Sequence, residues 1–170
     1  MLSPLSTLSP AEWFSERTAA AWQEFQALPV PGIKDEHWRY SNAKRTELDT
    51  LVNATEAPMD IVEQAVGCSV GLGSTAAMFI FVNDQLAASS TEGLPQSVVC
   101  VTLAEAMRSH SDVLQKHFMK REMELGSKKF AALHLAMVQA GVVVIVPKGV
   151  TVEQPIEVFH WAFGENTAIF

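Results

Sequence analysis

Apolar positions along this chain recur first at helical and then at strand spacing. Phe14, Thr18, Ala21, Phe25 and Leu28 are three or four residues apart. That spacing puts one apolar stripe, widened by Trp13 and Trp22, on a helix ending before Pro29. Ser9, Pro10 and Glu12 give it a hydroxyl cap, a proline at the first helical position and a carboxylate able to reach back to the cap. A shorter helix is predicted over 58–66, started by Pro58 and stopped by Gly67. Leu48, Leu51 and Val52 suggest a short helix or turn before it. Thr102 and Glu105 have capping-box spacing and start a helix carrying Leu103, Ala106 and Met107. Ser111 is expected to cap the next helix, with Val113, Leu114, His117 and Phe118 on one face. Ser127 starts the last; Phe130, Leu133, His134, Met137 and Val138 form its stripe, and Gly141 ends it.

Strand patterns fill the remaining segments. Residues 77–82 and 85–90 flank Asn83 and Asp84, which suit a tight turn, and a third strand is expected over 98–101, making a small meander. The unbroken run Val142, Val143, Val144, Ile145 and Val146, bounded by Gly141 and Pro147, suits a strand buried on both faces. Beyond the turn at Lys148 and Gly149, Val150 and Val152 alternate with polar residues, and Ile156, Val158 and His160 alternate again. Val144 and Val158 are spaced so that equivalent positions would stack in successive coils of a β-solenoid.

The chain's 170 residues, 48% hydrophobic and 18% charged, are enough for a sizeable core. Twelve basic against nineteen acidic side chains give a net charge of −7, which opposes attraction to nucleic acid or anionic lipid. The start lacks a signal-peptide pattern, and no apolar run approaches the roughly 18 residues needed to span a bilayer. A soluble cytoplasmic protein is the expectation.

Candidate chemistry is sparse. Cys68 and Cys100 are far apart without CxxC spacing, and read as small buried apolar residues rather than as a disulfide or a cluster or zinc site. His117 with Glu122, and His110 with Asp112, lack the paired histidines or third ligand a metal needs. The stretch GCSVGLGST has the glycines of a phosphate loop but no following lysine, and reads as a connector. In the run 34–40, Trp38 and Tyr40 are expected to pack inward while Glu36 and Arg39 pair or cap; the alternative is a pocket in which Arg39 holds an anion. His134 reads as a hydrogen-bonded core histidine. No residue is assigned to catalysis, to a cofactor or to a metal.

Four blocks together carry a resemblance: the Arg17, Trp22 and Phe25 helix leading into LPVPGIKDEHWRY; FIFVNDQL; VVCVTLAEAM; and KFAALHLAMVQAGVVVIVPKGVTVEQPIEV. In this order the chain resembles the N-terminal part of SufD-like proteins in the SufB/SufD family of iron–sulfur cluster assembly components. It departs at His134, where members usually carry asparagine, and at Asn83 and Asp84, where they usually carry Asp-Gly. The resemblance implies an α+β fold. Its helical N-terminal region and small β-meander, residues 1–140, lead into the first coils of a right-handed parallel β-helix, residues 141–170, left incomplete. It also implies a non-catalytic scaffold that pairs with SufB-like and SufC-like (ATPase) proteins, through surfaces that lie later in the family's chain.

Two classes of function are thus weighed: this scaffold, and a left-handed β-helix acyltransferase using His134 or His160 as general base. The Val144 to Val158 spacing does not fit the six-residue step of left-handed solenoids. The run Thr167, Ala168, Ile169 and Phe170 has no polar tail or cap, so the C-terminal strands are expected to present an open edge through which the chain self-associates or which stays poorly ordered.

Overall fold

A computed structural model describes residues 1–4, 11–41, 47–121 and 126–170. Helix α1, Glu12–Ala27, forms where its stripe requires. Phe14 and Ala21 are buried, with Trp22, Phe25 and Leu28 half-buried beside them. The expected cap at Ser9 and Pro10 lies outside the described residues. The Ala11 carbonyl accepts the amides of Phe14 (3.0 Å) and Ser15 (3.2 Å) at the helix start. At the other end Lys129 Nζ donates to the carbonyls of Phe25 and Leu28, both at 2.7 Å. A cation supplied from elsewhere thus satisfies helix-end carbonyls that α1 has no basic residue of its own to meet.

Lys129 belongs to α5, Lys128–Met137, which packs along α1 through Leu133, Ala136 and Met137. This helix ends at Met137, four residues before the expected stop at Gly141. Helices α3, Leu103–Ser109, and α4, Ser111–His117, complete the helical layer. The N-cap of α3 forms as its half of the expected capping box: Thr102 Oγ1 accepts the Glu105 amide at 3.2 Å. Ser111 does not cap α4 but is its first residue, and its Oγ accepts the indole N–H of Trp13 at 3.1 Å. Arg17 donates to the Phe118 carbonyl (2.6 Å) and the Met119 carbonyl (3.1 Å), tying the end of α4 to α1. Phe14, Leu103, Ala106, Met107, Leu114 and Val138 fill the space between.

Helix α2, Met59–Cys68, takes Pro58 as its cap residue and runs one residue past Gly67. Before it, Leu48–Thr50 form one 3-10 turn and β1 is Val52–Asn53.

Strands β2, Ala77–Val82, and β3, Gln85–Ser90, form the expected hairpin. Its two loop residues both have left-handed backbone, Asn83 at φ 48° and Asp84 at φ 62°, the conformation a two-residue hairpin turn needs. The meander is not formed. Strand β4, Val99–Thr102, leaves β3 and pairs antiparallel with β5, Val142–Ile145, while the free side of β2 pairs parallel with β6, Ile156–Trp161. The sheet order is therefore β3-β2-β6, with β4-β5 apart from it and β1 parallel to β7, Thr167–Ala168. The cause is burial. Residues Phe79 to Val82 are all buried, so β2 needs cover on both edges, whereas β3 is largely exposed. Gly93 allows the turn after β3 to close over β2, because a Cβ there would meet the Thr75 carbonyl oxygen at 2.7 Å.

The mixed helix and sheet of an α+β fold is present. Val144 and Val158 do not stack: Val144 lies opposite Cys100 and Val158 opposite Phe79, in different sheets. The run 142–146 is not buried on both faces either, with Val144 41% and Val146 45% exposed. Residues 150–153 form no strand.

Candidate interaction surface at the strand edges

Parallel pairing of β2 with β6 puts Ala77, Phe79 and Phe81 level with Ile156, Val158 and His160, on the sheet face that meets Cys100 and Val142. The inner half of that face is closed, and its outer half, on β6, is not. Val158 is 44% exposed, and His160 is exposed with its ring stacked on Phe81 at a centroid distance of 4.9 Å. Each of β5 and β6 is paired along one side, so among the described residues each offers one row of backbone N–H and C=O groups with no strand partner. A groove of about 630 Å³ runs between β5 and helices α4 and α5, lined by Val142, Val144, Val146, Phe118, His117 and His134.

Asn83 fixes the position of β6. It is buried, and its amide donates to the Trp161 carbonyl at 2.9 Å. Nδ2 donates to the carbonyls of Thr55 (2.8 Å) and Phe163 (2.9 Å), and Oδ1 accepts the Phe163 amide at 2.8 Å. One turn residue thus ties together three segments far apart in sequence. Beside it, both Asp84 carboxylate oxygens accept the Phe170 amide, at 3.2 and 3.1 Å. Burial pushes the Asp84 pKa up, against the opposing pull of that bond and of His160.

The candidate chemical residues do not converge. Cys100 is buried as expected, and burial pushes its thiol pKa up; Cys68 is exposed, contrary to the expectation, because α2 turns it outward at its last position. His110 and Asp112 flank the start of α4, and His117 is exposed at its end; its proposed partner Glu122 lies outside the described residues. No group of three His, Cys, Asp or Glu side chains suited to a metal occurs among the described residues. His134 is not a core histidine. It is exposed on α5 at the groove, and the side chains around it push its pKa down by desolvation.

In the run 34–40, Trp38 is half-buried against Phe130 at 5.5 Å, while Tyr40 is 96% exposed beneath the Arg39 guanidinium at 5.8 Å. Trp38 ends a 3-10 turn over Glu36–Trp38 and packs on Phe130 while Tyr40 lies in solvent beyond it, so the two do not form the walls of one pocket. The glycine-rich connector does hold an anion, one of the protein's own: Glu157 Oε1 accepts the Leu72 amide at 2.8 Å, with Gly71 lying against the same carboxylate. No local pattern signals this pairing, since Glu157 lies 85 residues from Leu72.

The family described as SufBD protein N-terminal region matches residues 7–158. The chain belongs to this SufBD family. The match runs from before α1 into β6 and so includes the first half of the parallel β2–β6 pairing, Ala77 to Phe79 against Ile156 to Val158. The chain is also similar to the iron-sulfur cluster assembly protein SufD of Bacillus subtilis (strain 168), with 28% identity over 169 residues. That similarity covers 93% of this chain and 37% of the relative, so the chain spans little more than a third of the relative's length. The resemblance carried by the four sequence blocks is borne out. Among the described residues, no helix is long and apolar enough to cross a membrane.

Proposed function

We propose that the chain serves as a non-catalytic scaffold component of iron–sulfur cluster assembly, as a SufD-like N-terminal region working with SufB-like and SufC-like proteins in the cytoplasm. The observation that carries this reading is the SufBD match over residues 7–158, together with the similarity to SufD along nearly the whole chain. The geometry supports a structural role. The parallel pairs β2–β6 and β1–β7 are what strands of successive β-helix coils would make, with residues 141–170 continuing a coil stack that β1 and β2, from residues 1–140, begin. On this reading the unpaired sides of β5 and β6 receive further strands. Neither His134 nor His160 is placed as a general base: one is exposed on a helix and the other stacks on Phe81, so the acyltransferase alternative gains no support.

A chimera tests the proposal. Residues 1–158 would replace the matching region of the Bacillus subtilis SufD in a strain lacking that protein. The expected result is restored activity of iron–sulfur enzymes and co-purification of the chimera with the SufB-like and SufC-like proteins. A soluble, folded chimera that gave neither would overturn the assignment.

A further inference from the structure

Charge is unevenly distributed along this chain. No Lys or Arg occurs between Arg45 and Arg108, a span that carries Glu47, Asp49, Glu56, Asp60, Glu63 and Asp84 among its acids. From Phe130 to Phe170 the one Lys or Arg is Lys148, against Glu153, Glu157 and Glu165. The fold joins these two spans through the β2–β6 and β1–β7 pairs, whereas Arg17, Lys116, Lys120, Lys128 and Lys129 fall on or beside α1, α4 and α5. The sheet half is therefore acidic, and α2 lies on it.

The outer face of α2 is apolar as well as acidic. Met59, Glu63 and Val66 follow i, i+4, i+7 spacing and share one face; Met59 is 70% exposed, and Asp60 is exposed beside it. The chain leaving α2 carries two more exposed aliphatic side chains, Val70 and Leu72, 81% and 69% exposed. These two do not project from a loose loop. Glu157 holds the Leu72 amide, and Ser74 Oγ bonds Gln154 Oε1 at 2.9 Å, so the connector is fixed to the strand side with its apolar side chains outward. Large aliphatic side chains held in water on a fixed backbone, ringed by one sign of charge, are features of a binding surface.

We propose that Met59, Val66, Val70 and Leu72 form a docking surface for a basic amphipathic segment of a partner protein, whose Lys or Arg side chains pair with Asp60 and Glu63. Charge complementarity selects this occupant. An acidic segment or a nucleic acid would be repelled by the same carboxylates. The proposal goes beyond the scaffold reading and does not use the open sides of β5 and β6.

The test titrates the 15N-labelled chain with a synthetic leucine–lysine amphipathic helix, and separately with its leucine–glutamate counterpart. The expected result is shifts concentrated in amides 59–72 with the basic peptide, weakened by salt, and none with the acidic one. The double variant Val70→Ser/Leu72→Ser and the charge reversal Glu63→Lys should each weaken binding by at least about tenfold. Both should keep the parent melting temperature, because these side chains are exposed. Shifts centred outside 59–72, equal binding of the two peptides, or unchanged affinity of both variants would overturn the proposal. So would sedimentation showing that the parent chain self-associates and the double variant does not, since the occupant would then be a second copy.

Discussion

Replacing Asn83 by alanine should be among the most damaging single changes available outside the aliphatic core. Asn83→Ala removes three side-chain hydrogen bonds, to the Thr55 carbonyl, the Phe163 carbonyl and the Phe163 amide. Each such bond is worth about 1 kcal/mol net. Alanine must also hold the left-handed backbone at φ 48°, which costs about 1–2 kcal/mol where no side chain compensates. The expected loss is therefore about 4–5 kcal/mol, or a fall of roughly 8–20 °C in melting temperature at about 2–4 °C per kcal/mol for a chain of this size. Asn83→Gly separates the two causes: it loses the same bonds but relieves the backbone, and should recover about 1 kcal/mol. Thermal unfolding followed by circular dichroism reads both, and hydrogen exchange of amides 156–163 should accelerate in both variants. Melting temperatures within about 2 °C of the parent for both, a small shift on that same scale, would refute the assignment of Asn83 as the residue that fixes β6.

Asp84 has a raised pKa, so its favourable contribution is complete below its unfolded value of 3.8 and is lost as pH rises through the native pKa. Asp84→Asn should accordingly melt higher than the parent at neutral pH, with the difference shrinking toward pH 3.8; a constant difference across a pH series would contradict this. His134 has the opposite sign. Its pKa is lowered, so its contribution is present above 6.5 and lost as pH falls through the lower native value, and His134→Asn should flatten that acid-side loss in urea titrations at successive pH values. The indole N–H of Trp38 is buried without a hydrogen-bond partner among the described residues. Trp38→Phe keeps a ring against Phe130 and removes a donor whose burial costs about 1–3 kcal/mol, so its melting temperature should equal or exceed the parent's, whereas Trp38→Ala should lower it.

Local chemistry made part of this fold legible. The α1 stripe, the Thr102 side-chain cap and the Asn83-Asp84 turn each depend on residues within a few positions of one another, and each is present. Pairing between distant segments was not legible. The default of joining neighbouring strands predicted a meander, but the second edge of β2 is taken by β6, and β4 has its partner in β5. The valine run of β5 signalled a strand but not its burial, because an edge strand and a central strand share that composition. Tyr40 and His134 were misplaced for a related reason: an aromatic beside a charge, or a histidine on an apolar stripe, fits a rim as well as a core. An open edge in the C-terminal strands is expected from the sequence, but which strands carry it, β5 and β6, is visible only from the pairing.

The grip of Lys129 on the end of α1 sets a timetable for synthesis. Phe25 and Lys129 are 104 residues apart, and at about 5–20 residues per second a ribosome needs about 5–20 s to make the second after the first. During that interval α1 has left the exit tunnel with its apolar stripe bare and its terminal carbonyls without the ammonium group. The hairpin β2–β3 waits similarly for β6, with Phe79 and Phe81 uncovered along one side. Among the described residues, the hairpin with α2 packed on it and the α3–α4 pair draw on neighbouring sequence, whereas the cover for α1 and for the second edge of β2 arrives only with α5 and then β6.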